Sequence, residues 1–391
     1  MSARMSRRQI MLAGAAATVV AAGQTGPAAA ATAAPATAPP GMPTGAPLIS
    51  VAAGSGRWPA GSSSVVNHDT STTLQSFAVD SVNGRVYTLQ GAGAAQVAYL
   101  RSGSQVAVTA NLGAPQHSAA GDLCLTEYDL KGDVLGFMYL LGFGHGVSLG
   151  VEPASGSTPA QVWTEAGASP GGYGQEVVRF PFQSGTVLWT SHPAVQRFAD
   201  KPRDAGSITP SVDVDHDVLL LRYAKPDGNH YFQAYRLSEA AAALSGGDRR
   251  LPSPLLADTG VPQPPLPKVD ATGAALDPFV PATFQGFASY GQYVYMLDGD
   301  ARPDTDDPAK PLSGYSKWTV HTSSFDLNAA DPAATLVRTH SEADAGAMPR
   351  EPEGMAVWTG AAGPLLLFAL TNRTSSGLRE FDLYSKPATS A

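Results

Sequence analysis

The chain is patterned for short β-strands rather than for amphipathic helices. Residues 74–80 read Leu-Gln-Ser-Phe-Ala-Val-Asp, a turn follows at Asn83-Gly84, and residues 85–89 read Arg-Val-Tyr-Thr-Leu. Short apolar stretches on either side of an Asn-Gly turn are typical of a β-hairpin. The pattern therefore predicts two antiparallel strands joined by a tight turn.

The same hairpin pattern returns twice in the second half of the chain. Residues 284–297 repeat it around a turn at Gly291, and residues 353–368 repeat it more loosely around a turn at Gly363. In all three copies, a Gln or Glu is followed three residues later by Ala. Self-similarity at a long and regular spacing indicates a repeat fold.

Two landmarks define the repeating unit. The first is the start of each inner hairpin, for which we take Gln75, His145, Pro210, Gln285 and Glu353, about 65 to 75 residues apart. The second is a strand ending in an aromatic residue two positions before an apolar one, at residues 128–130, 180–182, 235–237, 325–327 and 381–383. Each unit has room for four strands and a long loop, which is the size of a propeller blade. We therefore predict an all-β chain whose residues 48–391 form a single five-bladed β-propeller, each blade a four-stranded antiparallel sheet.

Two stretches depart from the strand pattern, and a third stretch carries alternating aspartates. The Ala-rich stretch 239–244 predicts a short helical turn, and the proline-rich stretch 249–278 predicts a long surface excursion. Asp213, Asp215 and Asp217 alternate, which predicts that they share one face of a strand. A solvent-facing edge is the favoured interpretation, and a cation site is the alternative.

The N-terminus reads as an export signal. Arg7 and Arg8 precede an apolar stretch that is too short for a comfortable membrane span, and Ala-x-Ala sites follow. We interpret residues 1–34 as a twin-arginine signal peptide, with an ordinary secretory signal as the alternative. Residues 35–47 predict a flexible Ala/Pro/Thr leader. The mature protein is then expected to be secreted, either extracellular or associated with the cell wall.

Composition and charge narrow the possible partners. The 391 residues carry a net charge of -8, only 15% are charged, and 41 are Gly and 32 Pro. Nucleic acid is not expected as a partner, because binding phosphates requires Lys and Arg clusters. No membrane span is expected in the mature protein. Cys124 is the single cysteine, so it has no partner for an internal disulfide and is expected to be buried. The sequence leaves the oligomeric state open.

The start of each inner strand should lie at one mouth of the propeller channel. This places Gln75, His145, Gln285 and Glu353 in a ring, where amides, an imidazole and a carboxylate suit polyol or sugar hydroxyls. Tyr173, in the glycine-rich loop 170–174, is expected to expose its ring for sugar stacking. The alternative is that the ring residues satisfy backbone ends and channel water.

A metal site receives little support from the sequence. Calcium prefers several carboxylate or carbonyl oxygens, and Glu353 is the single carboxylate of the predicted ring. We therefore predict neither a metal nor another cofactor. Calcium bound in the channel is kept as an alternative. No phosphate-binding loop, nucleophile elbow or zinc motif is present.

Several of these motifs together resemble a known family. They are residues 75–80 with the following turn, Thr126–Leu130, Gly144-His145-Gly146 and Pro352–Ala356. They look like the five-bladed propeller shared by TagC-like proteins (teichoic acid biosynthesis protein C), the receptor-binding propeller of some staphylococcal phage baseplates, and helveticin-J-like bacteriocins. The resemblance covers nearly the whole mature chain. It implies recognition of cell-wall glycopolymers such as wall teichoic acid and brings no settled enzymatic activity.

We therefore expect an exported, non-catalytic protein that binds a cell-wall glycopolymer through the channel mouth. Two alternatives stay open. One is a metal-dependent propeller hydrolase or lactonase, and the other is a bacteriocin-like secreted factor. A binding role is favoured over an enzyme because the ring lacks a second positioned carboxylate.

Overall fold

The predicted repeats fold as five separate sheets in the computed structural model. It describes residues 50–51, 56–58, 65–66, 72–93, 114–199, 201, 204–227, 229–261, 265–269, 275–281, 283–291, 293–299, 313–320, 327–337, 351–361, 363–373 and 377–389. All of these belong to one compact unit of the chain, Thr37–Ala391. The predicted signal at 1–34 and leader at 35–47 lie outside the described residues.

The first sheet begins with the hairpin that the Asn-Gly turn predicted. Gly84 has a φ of +64°, a conformation that glycine adopts without strain. From the inside outwards, the strands are β4 (Leu74–Asp80), β5 (Arg85–Gly91), β6 (Leu123–Asp129) and β7 (Val134–Leu141). A fifth strand, β11 (Val187–Trp189), pairs in parallel with β7 at the outer edge. The short helix α1 (Ala114–Ala120) precedes β6.

The next three sheets are four-stranded antiparallel meanders. The second contains β8 (Gly150–Glu152), β9 (Gln161–Ala166), β10 (Glu176–Pro181) and β12 (Gln196–Arg197). The third contains β13 (Ser207–Asp213), β14 (Val218–Ala224), β15 (His230–Arg236) and β16 (Leu256–Val261). The fourth contains β19 (Phe284–Tyr290), β20 (Tyr293–Asp298), β21 (Ser313–Val320) and β22 (Leu327–Val337). The predicted helical turn is confirmed as α2 (Leu237–Ser245).

The fifth sheet joins the two ends of the described chain. Its long strands are β23 (Glu351–Gly360), β24 (Gly363–Arg373) and β25 (Arg379–Thr389). Three short strands from the N-terminal side all pair antiparallel with β25, namely β1 (Ser50–Val51), β2 (Gly56–Trp58) and β3 (Val65–Val66). The outer part of the last sheet is therefore supplied by residues that precede the first sheet.

Hydrophobic clusters fill all five interfaces between neighbouring sheets. One cluster joins sheets one and two around Leu125 and Val162, and a second joins sheets two and three around Trp163 and Leu221. The others join sheets three and four, four and five, and five and one. The first strands also contact one another in a cycle, β4 to β8, β13, β19, β23 and back to β4. Five sheets packed face to face in a cycle are the arrangement of a five-bladed propeller.

The aromatic landmarks lie where the interfaces widen. Tyr128 of β6 meets Phe381 of β25 edge to face, with ring centroids 5.8 Å apart. Phe180 of β10 meets Phe143 in the same way at 5.5 Å. Edge-to-face pairs add stabilisation beyond the burial of their area. The described landmark aromatics therefore pack between neighbouring sheets, whereas Phe325 lies outside the described residues.

The inner strands are linked by serine hydroxyls and close backbone contacts. Ser76 Oγ donates to Gly146 O and Ser148 Oγ to Pro210 O, each at 2.6 Å, so these bonds cross from one sheet to the next. Gly354 has a φ of +76°, and a Cβ there would lie 2.9 Å from Ser76 Cα. Only glycine fits such a position, because a side chain would be strained and would overlap the neighbouring strand.

Two predictions about individual segments were wrong. The stretch 249–278 is not an irregular excursion, since it contains β16 and most of a separate hairpin of β17 (Pro265–Val269) and β18 (Ala275–Pro281). Asp213 ends strand β13 and residues 214–217 form a turn, so the three aspartates do not share a strand face. The prediction of four strands per blade describes three sheets, while the first carries the extra strand β11 and the last the short N-terminal strands.

Candidate functional site

Three of the predicted ring residues sit at equivalent irregularities in the first strands. The pairing of β4 with β5 shifts register between Leu74 and Ser76, so Gln75 is the unpaired residue. Gln285 occupies the same place between Phe284 and Gly286, and Glu353 lies in the shift between Pro352 and Met355. Such bulges re-aim side chains and are frequent next to binding sites. We call this end of the channel, where the first strands begin, the proximal mouth.

The two glutamine amides of the proximal mouth also bind backbone. Gln75 is partly exposed and its Nε2 donates to Leu74 O at 3.1 Å. Gln285 is buried, and its Nε2 donates to Gly299 O at 2.8 Å and to Glu351 Oε1 at 3.4 Å. Glu353 is buried as well. Both amides thus donate to backbone carbonyl groups, which was the alternative interpretation from the sequence. Gln285 is the more fully engaged of the two, because it is buried and makes a second hydrogen bond to Glu351.

His145 and Tyr173 come together on the second blade. His145 lies in the irregular segment that leads into β8, and Tyr173 lies in the loop before β10. Their rings stack with centroids 4.9 Å apart and an interplanar angle of 27°. Tyr173 is half-buried rather than fully exposed, because one face of its ring is covered by the imidazole. The pair forms a flat, partly accessible surface of the kind that packs against sugar rings.

A buried carboxylate that the sequence analysis missed holds this pair in place. Glu165, on β9, is fully buried, and its carboxylate accepts hydrogen bonds from Gly146 N at 2.5 Å and Gly174 N at 3.1 Å. Burial raises the pKa of Glu165 to about 7, and the backbone N–H donors oppose that rise. The acid therefore ties the segment that carries His145 to the loop that carries Tyr173.

A second missed group lies between the third and fourth sheets. Arg222 on β14 is buried, and its Nε and Nη2 donate to Nδ1 of His230 on β15 at 3.1 and 2.6 Å. The Phe284 ring, next to Gln285, lies 4.1 Å from Arg222 Cζ. A signal was present in the sequence, because Arg222 interrupts the otherwise apolar stretch Val218–Tyr223. The sequence does not show that His230 is its partner, because the two residues meet only through the register of the β14–β15 hairpin.

The opposite end of the channel, the distal mouth, holds a pocket of about 80 Å3. Its lining includes Ser81, Asp213, Asp215, Tyr290 and Thr359. Asp213 accepts hydrogen bonds from Gly291 N of the next sheet at 2.6 Å and from His216 Nδ1 at 2.9 Å. The hydrogen bond with Asp213 raises the pKa of His216. Asp217 instead accepts from Ser238 N at 2.7 Å at the start of α2.

Two further buried side chains, Trp163 and Cys124, have structural roles. Trp163 is fully buried and donates to Glu152 Oε1 at 2.7 Å, and Cys124 is buried as expected. Across the described ranges, no group of three His, Cys, Asp or Glu side chains is placed to hold a metal ion. Within the same part of the chain, no helix is long and apolar enough to cross a bilayer.

Comparison with known proteins identifies a related domain. Residues 73–241 match the model of a family described as a phage five-bladed β-propeller receptor-binding platform domain. No curated protein matches the chain. Among solved structures, the tail fiber of Staphylococcus aureus phage P68 aligns with a TM-score of 0.53 at 15% identity, over 83% of this chain and 52% of that one. The chain thus spans about half the length of that tail fiber, with which it shares the fold.

Other structural neighbours are more distant. The periplasmic gluconolactonase of Pseudomonas aeruginosa aligns at 12% identity with a TM-score of 0.29, over 78% of this chain and 70% of that one. An exo-β-1,3-galactanase of Clostridium thermocellum aligns at 10% identity with a TM-score of 0.39, over 82% and 62% of the two chains. These scores are too low to support an argument about function.

Proposed function

We propose that this protein is an exported, non-catalytic binding protein that recognises a cell-wall glycopolymer, such as wall teichoic acid, at its proximal mouth. The observation that carries the proposal is the match of residues 73–241 to a receptor-binding platform domain. That span contributes Gln75, His145, Tyr173 and Arg222 to the proximal side of the molecule. The kinship with TagC-like and helveticin-J-like proteins, and export by the twin-arginine pathway, are parts of the same proposal.

The chemistry of the proximal mouth suits a hydroxylated chain. The carbonyl oxygens of the Gln75 and Gln285 amides and the Glu353 carboxylate are acceptors for hydroxyl groups. The stacked pair of His145 and Tyr173 offers an aromatic surface that is already ordered, so binding immobilises little further side chain. A site assembled from several blades favours an extended ligand over a small one.

The first test is a pull-down on purified cell walls, with and without prior removal of teichoic acid. The wild-type protein should bind intact walls and lose most of its binding to stripped walls. Tyr173→Leu keeps apolar volume but removes the flat ring, and Gln75→Ala removes a partly exposed amide, so each should weaken binding about ten-fold, the equivalent of 1.4 kcal/mol. Asp215→Asn, at the distal mouth, is the matched control and should bind as wild type.

Two further arms of the pull-down separate the alternatives. Release of soluble sugar from the walls would identify a hydrolase and contradict a purely binding role. Loss of binding in a chelator, restored by Ca²⁺, would add a calcium requirement. Equal binding to intact and stripped walls would contradict the glycopolymer itself.

A further inference from the structure

Arg222 is a buried cation without a paired anion among the described residues. Its neighbours on the same face of β14, Val218 and Leu220, pack in the hydrophobic cluster between sheets three and four. Within the described part of the chain, its hydrogen bonds go to the imidazole of His230 and no carboxylate forms an ion pair with it. Burial lowers the pKa of Arg222 to about 10, so the guanidinium stays charged at neutral pH. A charge held in this way is normally paired.

Asp298 is the opposite charge that acts most strongly on Arg222. It ends β20, on the strand face that carries Val294 and Met296 toward the third sheet, and it favours the charged guanidinium. The hydrogen bonds of Arg222 within the described part of the chain go to His230, so the guanidinium has further N–H groups that a ligand could use.

Two further donors lie on the same face and have no hydrogen-bond partner among the described residues. Thr209 of β13 is directly opposite Arg222 in the strand register, and its Oγ1 is buried without a hydrogen bond. His230 accepts from Arg222 at Nδ1, so the ring proton is on Nε2, and this atom is also buried without a partner. Burying such groups without a hydrogen bond costs free energy, so two of them in one cluster are unusual.

The cluster therefore consists of surplus donors around one positive charge. A guanidinium has five N–H groups, of which His230 takes two. A hydroxyl ligand would bring a donor of its own, whereas an oxyanion brings acceptors alone and neutralises the charge.

We propose that Arg222, His230 and Thr209 form a binding site for one oxyanionic group, the phosphate or carboxylate of an anionic polymer. Phe284 is partly exposed and lies 4.1 Å from Arg222 Cζ, so a shift of its ring opens the cluster beside Gln285. The inference deepens the proposed function and rests on it for the polymer, since it selects an anionic glycopolymer over a neutral one. The oxyanion site itself is testable without any polymer.

The test is calorimetric titration of the whole protein with inorganic phosphate, sulfate and acetate at constant ionic strength. Wild type should bind at least one oxyanion saturably, and the comparison of phosphate with acetate separates a phosphodiester from a carboxylate ligand. Arg222→Met should abolish this binding, and Thr209→Val, of nearly the same shape, should weaken it about ten-fold. Arg250→Met removes an exposed arginine and should bind as wild type.

Near-UV circular dichroism establishes whether each variant is folded. Arg222→Met leaves Nδ1 of His230 without its donors and should lower the thermal midpoint, whereas Thr209→Val removes a hydroxyl that has no hydrogen bond within the described residues and should leave the midpoint unchanged. As a second readout, the His230 Nε2–H proton resonance of wild type should shift on saturation with the oxyanion.

Absence of saturable binding by wild type, or equal binding by Arg222→Met, would overturn the site. Oxyanion binding without retention on cell walls would leave the site standing and contradict the glycopolymer proposal. The two failures are therefore distinguishable.

Discussion

Glu165 shows how a single residue organises the candidate site. Its carboxylate lies against the backbone of two loops, and Gly144 and Gly174 leave room for it, because a Cβ at either glycine would approach its side chain to 2.6 or 2.4 Å. The two loops carry His145 and Tyr173, so the geometry of the stacked pair depends on the backbone segments that Glu165 holds together. A change in the protonation of Glu165 should therefore change the free energy of unfolding.

The raised pKa of Glu165 makes a signed prediction about pH. The folded state holds this proton up to about pH 7, while the unfolded state releases it near pH 4.5, the ordinary pKa of a glutamate. Between these values the folded protein binds more protons, so the contribution of Glu165 to the free energy of unfolding falls as pH rises, by about 3 kcal/mol for a pKa difference of 2.5. The difference in unfolding free energy between wild type and Glu165→Gln, from urea denaturation, should fall by that amount from pH 4.5 to 7.

The comparison with a variant is needed because other groups titrate in the same range. Burial holds the pKa of His230 well below its usual value. The contribution of His230 to the free energy of unfolding therefore falls as pH drops below 6.5, whereas the contribution of Glu165 falls as pH rises. Glu239→Gln, at an exposed position on α2, is the matched control for the substitution itself. A flat difference for Glu165→Gln would mean that its folded pKa is ordinary.

At the residue scale, the sequence showed the members of the repeat but not their partners. Gln75, Gln285 and Glu353 could be aligned because each precedes the same small-residue step, and they occupy equivalent bulges. Arg222 and His230 belong to no repeat and are joined only by the β14–β15 register. A side chain's charge environment follows from such pairings, which a linear pattern does not contain.

At the scale of elements, aspartates at the ends of the first strands connect neighbouring blades. Asp80 Oδ2 accepts from Ala154 N of the second blade at 3.3 Å, and Asp213 Oδ2 accepts from Gly291 N of the fourth at 2.6 Å. Each also accepts from the turn that follows its strand, through Asn83 or His216. One carboxylate thus shapes a turn and holds the adjacent sheet.

Asp213→Ala should therefore destabilise the protein. It leaves the buried Gly291 N–H without its acceptor and removes the partner of His216, so a loss of about 2–3 kcal/mol in the free energy of unfolding is expected. Asp215→Ala, two residues away and exposed, is the matched control and should stay within about 0.5 kcal/mol of wild type. Equal midpoints for the two variants in chemical denaturation would contradict this role for Asp213.

Element boundaries were predictable where the turn chemistry was local. The Asn83-Gly84 turn and the Ala-rich helix α2 follow directly from the sequence. The strands within 249–278 were not predicted, because the prolines of this stretch indicated a loop. Prolines are compatible with edge strands, and those of this stretch that lie in strands belong to β17 and β18, which form a two-stranded sheet of their own. Composition alone could not distinguish that case from an irregular loop.

For the whole molecule, the decisive feature is how the last sheet is completed. The five interfaces form a cycle, and its last sheet takes its outer strands from residues 50–66. The sequence predicted a propeller beginning at residue 48, but not which sheet those residues would join. Pairing between distant parts of a chain is set by the closure of the cycle rather than by any local pattern.

Removing these short strands should weaken the entire fold. A chain that begins at residue 72 leaves the outer edge of β25 unpaired, losing backbone hydrogen bonds and exposing a long strand edge to other molecules. With a net contribution of about 1 kcal/mol per hydrogen bond, the free energy of unfolding should fall by about 3–5 kcal/mol. A chain that begins at residue 48 keeps every described strand and is the control. Chemical denaturation measures the difference, and size-exclusion chromatography should show association of the shorter chain. Coincident denaturation midpoints for the two chains would mean that the hydrophobic interfaces alone hold the cycle of sheets together.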